Sequence, residues 1–141
     1  MTIKVRKAEV WSATIDDRAG GAADKLELLS KAGANLEFVL ARRTPEQTGL
    51  GVIYVTPVRG AKVIQAAQAA GLGKSMTMQS LRIEGADKPG VTASVARCMA
   101  QAGISFRGLC AIAIGRKFVN FIALDNAEDA AKAAGLLRKL G

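Results

Sequence analysis

Displaced by 70 residues, the chain matches itself. Asp17-Arg18-Ala19-Gly20 falls on Asp87-Lys88-Pro89-Gly90. Lys31-Ala32-Gly33-Ala34-Asn35 falls on Gln101-Ala102-Gly103-Ile104-Ser105. Trp11, Ala13 and Ile15 fall on Leu81, Ile83 and Gly85. A period this long means two domains, since solenoid units are typically shorter. The expected division is 1–72, a linker at 73–79, and 80–141. A unit of about 70 residues buries only about 60% of its surface on folding and is marginal alone. Two such units would gain by sharing a sheet edge or a face.

Each copy reads element by element. In the first, Trp11, Ala13 and Ile15 alternate with Ser12 and Thr14; in the second, Leu81 and Ile83 alternate with Arg82 and Glu84. Period two with one polar face predicts a half-buried strand. A helix is expected over 22–31, with Leu26 and Leu29 on one stripe, and over 91–101, with Val91, Val95 and Met99 four apart. Gly33 and Gly103 follow as left-handed caps. A hairpin comes next, 35–43 with 51–56 and 105–114 with 118–124, and a second helix closes each copy over 60–70 and 127–140. This order predicts an α+β fold: two ferredoxin-like βαββαβ modules, each an antiparallel sheet with its helices on one face. Val52-Ile53-Tyr54-Val55 and Phe118 to Ile122 are apolar on both sides, so the far sheet face is expected to be buried, by a partner domain or subunit.

Composition narrows the function classes. Lys and Arg number 20 against 12 Asp and Glu, a net charge of +8. The excess is spread evenly: 11 − 7 = +4 over 1–79 and 9 − 5 = +4 over 80–141. No basic tail stands out, which argues against a dedicated nucleic-acid binder. There is no His, and the two cysteines, Cys98 and Cys110, have neither disulfide-framework nor metal spacing. No metal or cofactor is therefore expected, and both thiols read as core residues. No apolar run approaches membrane-spanning length and no signal core opens the chain, so a cytoplasmic protein away from the membrane is the default expectation.

The run Asp87-Lys88-Pro89-Gly90-Val91 through Ala102-Gly103-Ile104-Ser105 resembles the ACT domain family. Loop, helix, Ala-Gly cap and the order of elements repeat in register, and the resemblance covers about 8–72 and 80–141. The first copy departs from it: Ala19 stands where the proline should be, and its hairpin loop, 44–51, is longer. The resemblance implies a regulatory or sensor protein that binds an amino acid or similar effector where domains or subunits meet. It also implies a homodimer and a possible partner enzyme. The effector-contacting positions it points to are Asp17 and Asn35 in the first copy, Asp87 and Ser105 in the second. Their neighbours are Arg18, Ala19, Gly20, Gly21 and Leu36, and Lys88, Pro89, Gly90, Val91 and Phe106. Independently of any family, Gly20 and Gly90 open helices, and free N–H groups at the positive end of a helix dipole suit a carboxylate. The bland alternative is an ordinary capped helix start.

Two lookalikes carry less. Gly71-Leu72-Gly73-Lys74-Ser75 ends like a phosphate-binding loop, but its first glycine is replaced by Gln68 and its order is helix, loop, strand. Phe118-Val119-Asn120-Phe121 resembles the end of the octapeptide of RNA-recognition domains. Base stacking needs rings on one open face, whereas period two sets Phe118 and Phe121 on opposite faces, so core packing is expected for both. Asp16 and Asp17 point apart if extended, and no catalytic constellation is visible, so no enzyme is expected. The remaining alternatives are a nucleic-acid-binding βαββαβ module and a structural module that docks on an enzyme. Arg42, Arg43, Arg116 and Lys117 at the hairpin tips are expected to be solvated.

Overall fold

The computed structural model describes residues 2–140. They form eight strands and four helices in two compact units, Glu9–Ser75 and a second unit made of Met1–Ala8 with Met76–Gly141. This differs from the expected division at its start: the first eight residues belong with the second half of the chain.

The first module contains β2 (Trp11–Asp16), α1 (Gly21–Lys31), β3 (Phe38–Arg43), β4 (Leu50–Thr56), α2 (Ala61–Ala69) and β5 (Gly73–Lys74). Its sheet order is β3-β4-β2-β5. The expected linker thus supplies a strand, because Gly73 and Lys74 pair with Ser12 and Trp11. The core is where the alternation placed it: Trp11, Ile15, Ile53 and Val55 from the sheet meet Leu29, Val63 and Ala67 from the helices.

The second module contains β6 (Gln79–Ala86), α3 (Val91–Gln101), β7 (Phe106–Ile114), β8 (Lys117–Leu124) and α4 (Ala127–Arg138). Its fourth strand is β1 (Lys4–Ala8), which pairs antiparallel with β6 and gives the order β1-β6-β8-β7. The same architecture is therefore closed from opposite ends of the chain. Val5 joins the core cluster with Ile3 before it and Ala8 is buried too, while Lys4, Arg6 and Lys7 stay exposed.

Cross-strand pairs show how one backbone tolerates two sequences. Ile15 faces Gly51 in the first module, and the equivalent pair in the second is Gly85 and Phe118. Large and small have exchanged strands. A Cβ on Gly51 would lie 2.6 Å from Arg42 O on β3 and 3.3 Å from Ile15 Cγ1, and one on Gly85 would lie 2.9 Å from Phe118 Cε1. Each glycine makes room for the neighbour's bulk. α1 and α3 both end in a left-handed glycine, Gly33 at φ 95° and Gly103 at φ 72°.

The two faces of the second sheet differ. In β8, Phe118, Asn120, Ile122 and Leu124 are buried while Val119, Phe121 and Ala123 are half-buried. In β7, Ile112 and Ile114 are 54% and 64% exposed.

Candidate functional site

The turn from β2 into α1 and the turn from β6 into α3 are built alike. Gly20 and Gly90 take the left-handed conformation, at φ 90° and 82°, immediately before the helix. Neither helix start has a side-chain cap. Val91 N–H donates to Lys88 O at 3.2 Å and Ser94 N–H to Gly90 O at 3.0 Å. That leaves the N–H groups of Thr92 and Ala93 as the unsatisfied donors of the first turn. Asp87, Lys88, Pro89 and Gly90 are all exposed, and Asp87 N–H is anchored on Arg116 O at 2.8 Å, beside the β7–β8 hairpin tip.

In the first module the corresponding loop engages its own side chains. Arg18 Nη2 donates to Asp24 Oδ2 at 2.7 Å, and Arg18 Nε lies 3.7 Å from Asp16 Oδ2. The hydrogen bond to Asp24 raises the Arg18 pKa further. Asp17 Oδ2 accepts from Arg43 Nε at 2.8 Å, while the Arg43 side chain stays solvated as expected, 80% exposed. Gly21 packs so tightly that a Cβ would sit 2.2 Å from Asp16 O. Ala19 and Gly20 are exposed beside this network.

The other predicted residues lie elsewhere. Asn35 is exposed beyond the C-terminal end of α1, where it lines a hollow of about 370 Å³ with Gly33, Glu37, Pro57 and Arg59. Ser105 and Phe106 lie beyond the C-terminal end of α3, in an open groove of about 780 Å³ with Ala93, Arg97 and Ala100. An eleven-residue helix is about 16 Å long. Within one module, then, the two halves of each expected site, Asp17 with Asn35 and Asp87 with Ser105, are held a helix length apart. Leu36 and Val91 are half-buried and pack against the core of their own module.

Sequence reasoning passed over Asn120, assigned only to the lookalike on β8. It is fully buried, opposite Ile83, with its Oδ1 3.5 Å from Thr92 Oγ1 in the first turn of α3. Its signal was available, as a polar residue at an inward position of an otherwise apolar strand. Phe118 is buried as expected and Phe121 is half-buried on the opposite face, so the two rings form no stacking platform. Among the described residues no group of three or more acidic, Cys or His side chains could hold a metal. No helix there is long and apolar enough to cross a membrane.

Solved structures share this arrangement along its whole length. A Bacteroides thetaiotaomicron protein superposes with a TM-score of 0.75 at 18% identity, over 96% of this chain and 89% of that one. The ligand-free regulatory subunit of aspartate kinase from Thermus thermophilus gives 0.65 at 16% identity, over 99% and 96%. The fold is that of tandem ACT domains. A C-terminal regulatory domain of aspartate kinase from Porphyromonas gingivalis, so described as a putative one, gives 0.55 at 12% identity, over 97% and 94%. The sequence resemblance to ACT domains is borne out as a fold. No protein-family profile matches the chain, and no curated protein matches it.

Proposed function

We propose that this tandem ACT-fold chain is a regulatory, non-catalytic binding protein for an amino acid, held where the second modules of two copies meet. The separation of the two half-sites carries this reading. An effector of a few ångströms cannot bridge Asp87 and Ser105 within one module, so a second module has to bring its own Ser105.

The sheet edges suggest how. β1 has three cations in five residues, β3 ends in Arg42-Arg43, and β5 is two residues long with Lys74. Charge and shortness are the usual protections of an edge. β7 has neither: it is nine residues long and uncharged from Gly108 to Ile114. Paired antiparallel with its copy about Cys110, it would set Phe106 of one chain opposite Ile114 of the other. Ile114 precedes the hairpin tip whose Arg116 anchors Asp87. Ser105 and Phe106 of one chain thus arrive at the Asp87–Gly90 loop of the other. Helix-start N–H groups there would take the effector's carboxylate, and Asp87 with the Ser105 hydroxyl its ammonium. The regulatory proteins among the structural neighbours support the same role, with a partner enzyme as the recipient of the signal.

The test is a thermal-shift and calorimetric screen of the twenty amino acids against the full chain, with its mass measured in solution. A dimer that binds one of them is expected. A monomer, or no binding at millimolar ligand, overturns the reading.

A further inference from the structure

We propose that the face of the second sheet turned away from α3 and α4 is a docking surface for an acidic amphipathic helix of a partner protein. The surface belongs to a single copy of the chain, and it stands whether or not an amino acid is bound.

The pairing register lays this face out in rows that cross the strands. One row runs Lys4, Glu84, Val119, Ile112 from β1 through β6 and β8 to β7. The next runs Arg6, Arg82, Phe121, Cys110. A third holds Ala86, Lys117 and Ile114. Cations thus gather on the β1 side and apolar side chains on the β7 side. Lys4, Arg6 and Lys117 are exposed, and Arg82 Nη1 lies 3.0 Å from Glu84 Oε2. Arg82 first, then Lys117 and Lys4, hold the Glu84 carboxyl below its ordinary value, so the four cations share one carboxylate. Val119, Phe121 and Cys110 are half-buried, and Ile112 and Ile114 stand out beside them.

Charge on β1 protects an edge. That does not account for Arg82, Glu84 and Lys117, which lie on β6 and β8, each bonded to a strand on both sides. Nor does the fold require them. Ser12 and Thr14 stand in the first module where Arg82 and Glu84 stand in the second. The rows there run Thr14, Val52, Arg42 and Ser12, Tyr54, Leu40, and Asp16 lies opposite Leu50. Asp16 offsets Arg42 on that face, whereas four cations less one carboxylate leave +3 on this one. The second module has acquired a charge that its own folding does not use.

The occupant follows from the layout. A sheet with apolar side chains on its second face is ordinarily covered by a further layer. This one must offer carboxylates along one side and apolar side chains along the other, within three strand spacings, about 14 Å. A helix is about 10–12 Å across and can carry both stripes. The eight residues of β8 extend about 27 Å, the length of a helix of about eighteen residues. A single-stranded nucleic acid matches the charge but needs rings to stack on, and Phe121 is the one ring in these rows.

The experiment uses the full chain with three synthetic peptides of about eighteen residues. One has a leucine face flanked by glutamates, one has lysines in place of the glutamates, and one is the first composition scrambled. Fluorescence anisotropy should show saturable binding of the first, about tenfold or more tighter than either of the others. Lys4→Glu with Arg6→Glu should weaken it about tenfold, while Arg42→Glu on the first module should leave it within about twofold. Lys117→Glu reads the same charge if the double variant fails to melt cooperatively, and Ile114→Ser, at an exposed position, reads the apolar side; each should weaken binding. With 15N-labelled protein, peptide-induced shifts are expected at Arg82, Val119 and Phe121, with Ser12 and Tyr54 unmoved. No saturable binding of the acidic peptide, equal binding of the scrambled one, or unaltered affinity in the charge-reversed and Ile114→Ser variants overturns the proposal. Tighter binding of single-stranded RNA or of phosphatidylserine vesicles through the same residues overturns it too.

Discussion

Single residues decide how far the two modules can differ. Gly21 has Val91 as its counterpart, yet its own turn has closed down until no side chain fits. Gly21→Ala forces a methyl to within 2.2 Å of a backbone oxygen, so the turn must shift. A loss of about 1–3 kcal/mol is expected, measured by urea denaturation. Glu84 sets part of the response to acid. Its hydrogen bond from Arg82, with Lys117 and Lys4 nearby, holds its carboxyl below the ordinary glutamate value. A lowered folded pKa adds stability above the unfolded value, and that stability is lost as pH falls through the folded one. Glu84→Gln is expected to flatten the decline of the denaturant midpoint below pH about 4.3 and to leave the neutral side less stable. Little of this was legible in advance. The repeated glycine loops before each helical stripe named the Asp17 and Asp87 loops correctly as helix entrances. The ion pair from Arg18 to Asp24 in one loop has no signature in the sequence, since the two are brought together only by the turn into α1.

At the scale of elements, the period of hydrophobicity did most of the work. α3 was expected over 91–101 and spans those residues, because Val91, Val95 and Met99 leave no other face to bury. α4 ends two residues before its expected end, and it starts where Asn126 Oδ1 accepts from Asp129 N–H at 2.8 Å. Asn126→Ala should cost about 1 kcal/mol, read from the thermal midpoint, while Asn126→Asp or Asn126→Ser should cost far less. Two strands were missed for physical reasons. β5 is two residues long and has no alternation to detect. β1 buries Val5 and the small Ala8 amid three cations, which reads as a solvated tail until a sheet edge receives it.

For the whole molecule, topology matters more than the repeat implied. The first module is an insertion into the second, between β1 and β6. A fragment of residues 9–75 is expected to fold alone, with a cooperative melt by circular dichroism. A fragment of residues 76–141 is expected to fail, since its sheet lacks β1 and the edge of β6 would expose Leu81 and Ile83. Joining residues 2–8 through a glycine linker to the end of that fragment should restore a cooperative melt. The proposed association uses the other edge, β7. Ile112→Lys, at a position already 54% exposed, is expected to leave the melting temperature within a few degrees and to convert a dimer to monomer by light scattering.

The separation of β1 from β6 has a consequence for synthesis. β1 leaves the ribosome first, and its partner strand follows only after 70 further residues, from 9 to 78. At about 5–20 residues per second that is a wait of several seconds or longer. The inserted module can form meanwhile, because all six of its elements are already out. An apolar strand left unpaired for so long would invite aggregation. A strand written Lys-Val-Arg-Lys-Ala stays hydrated until its place opens.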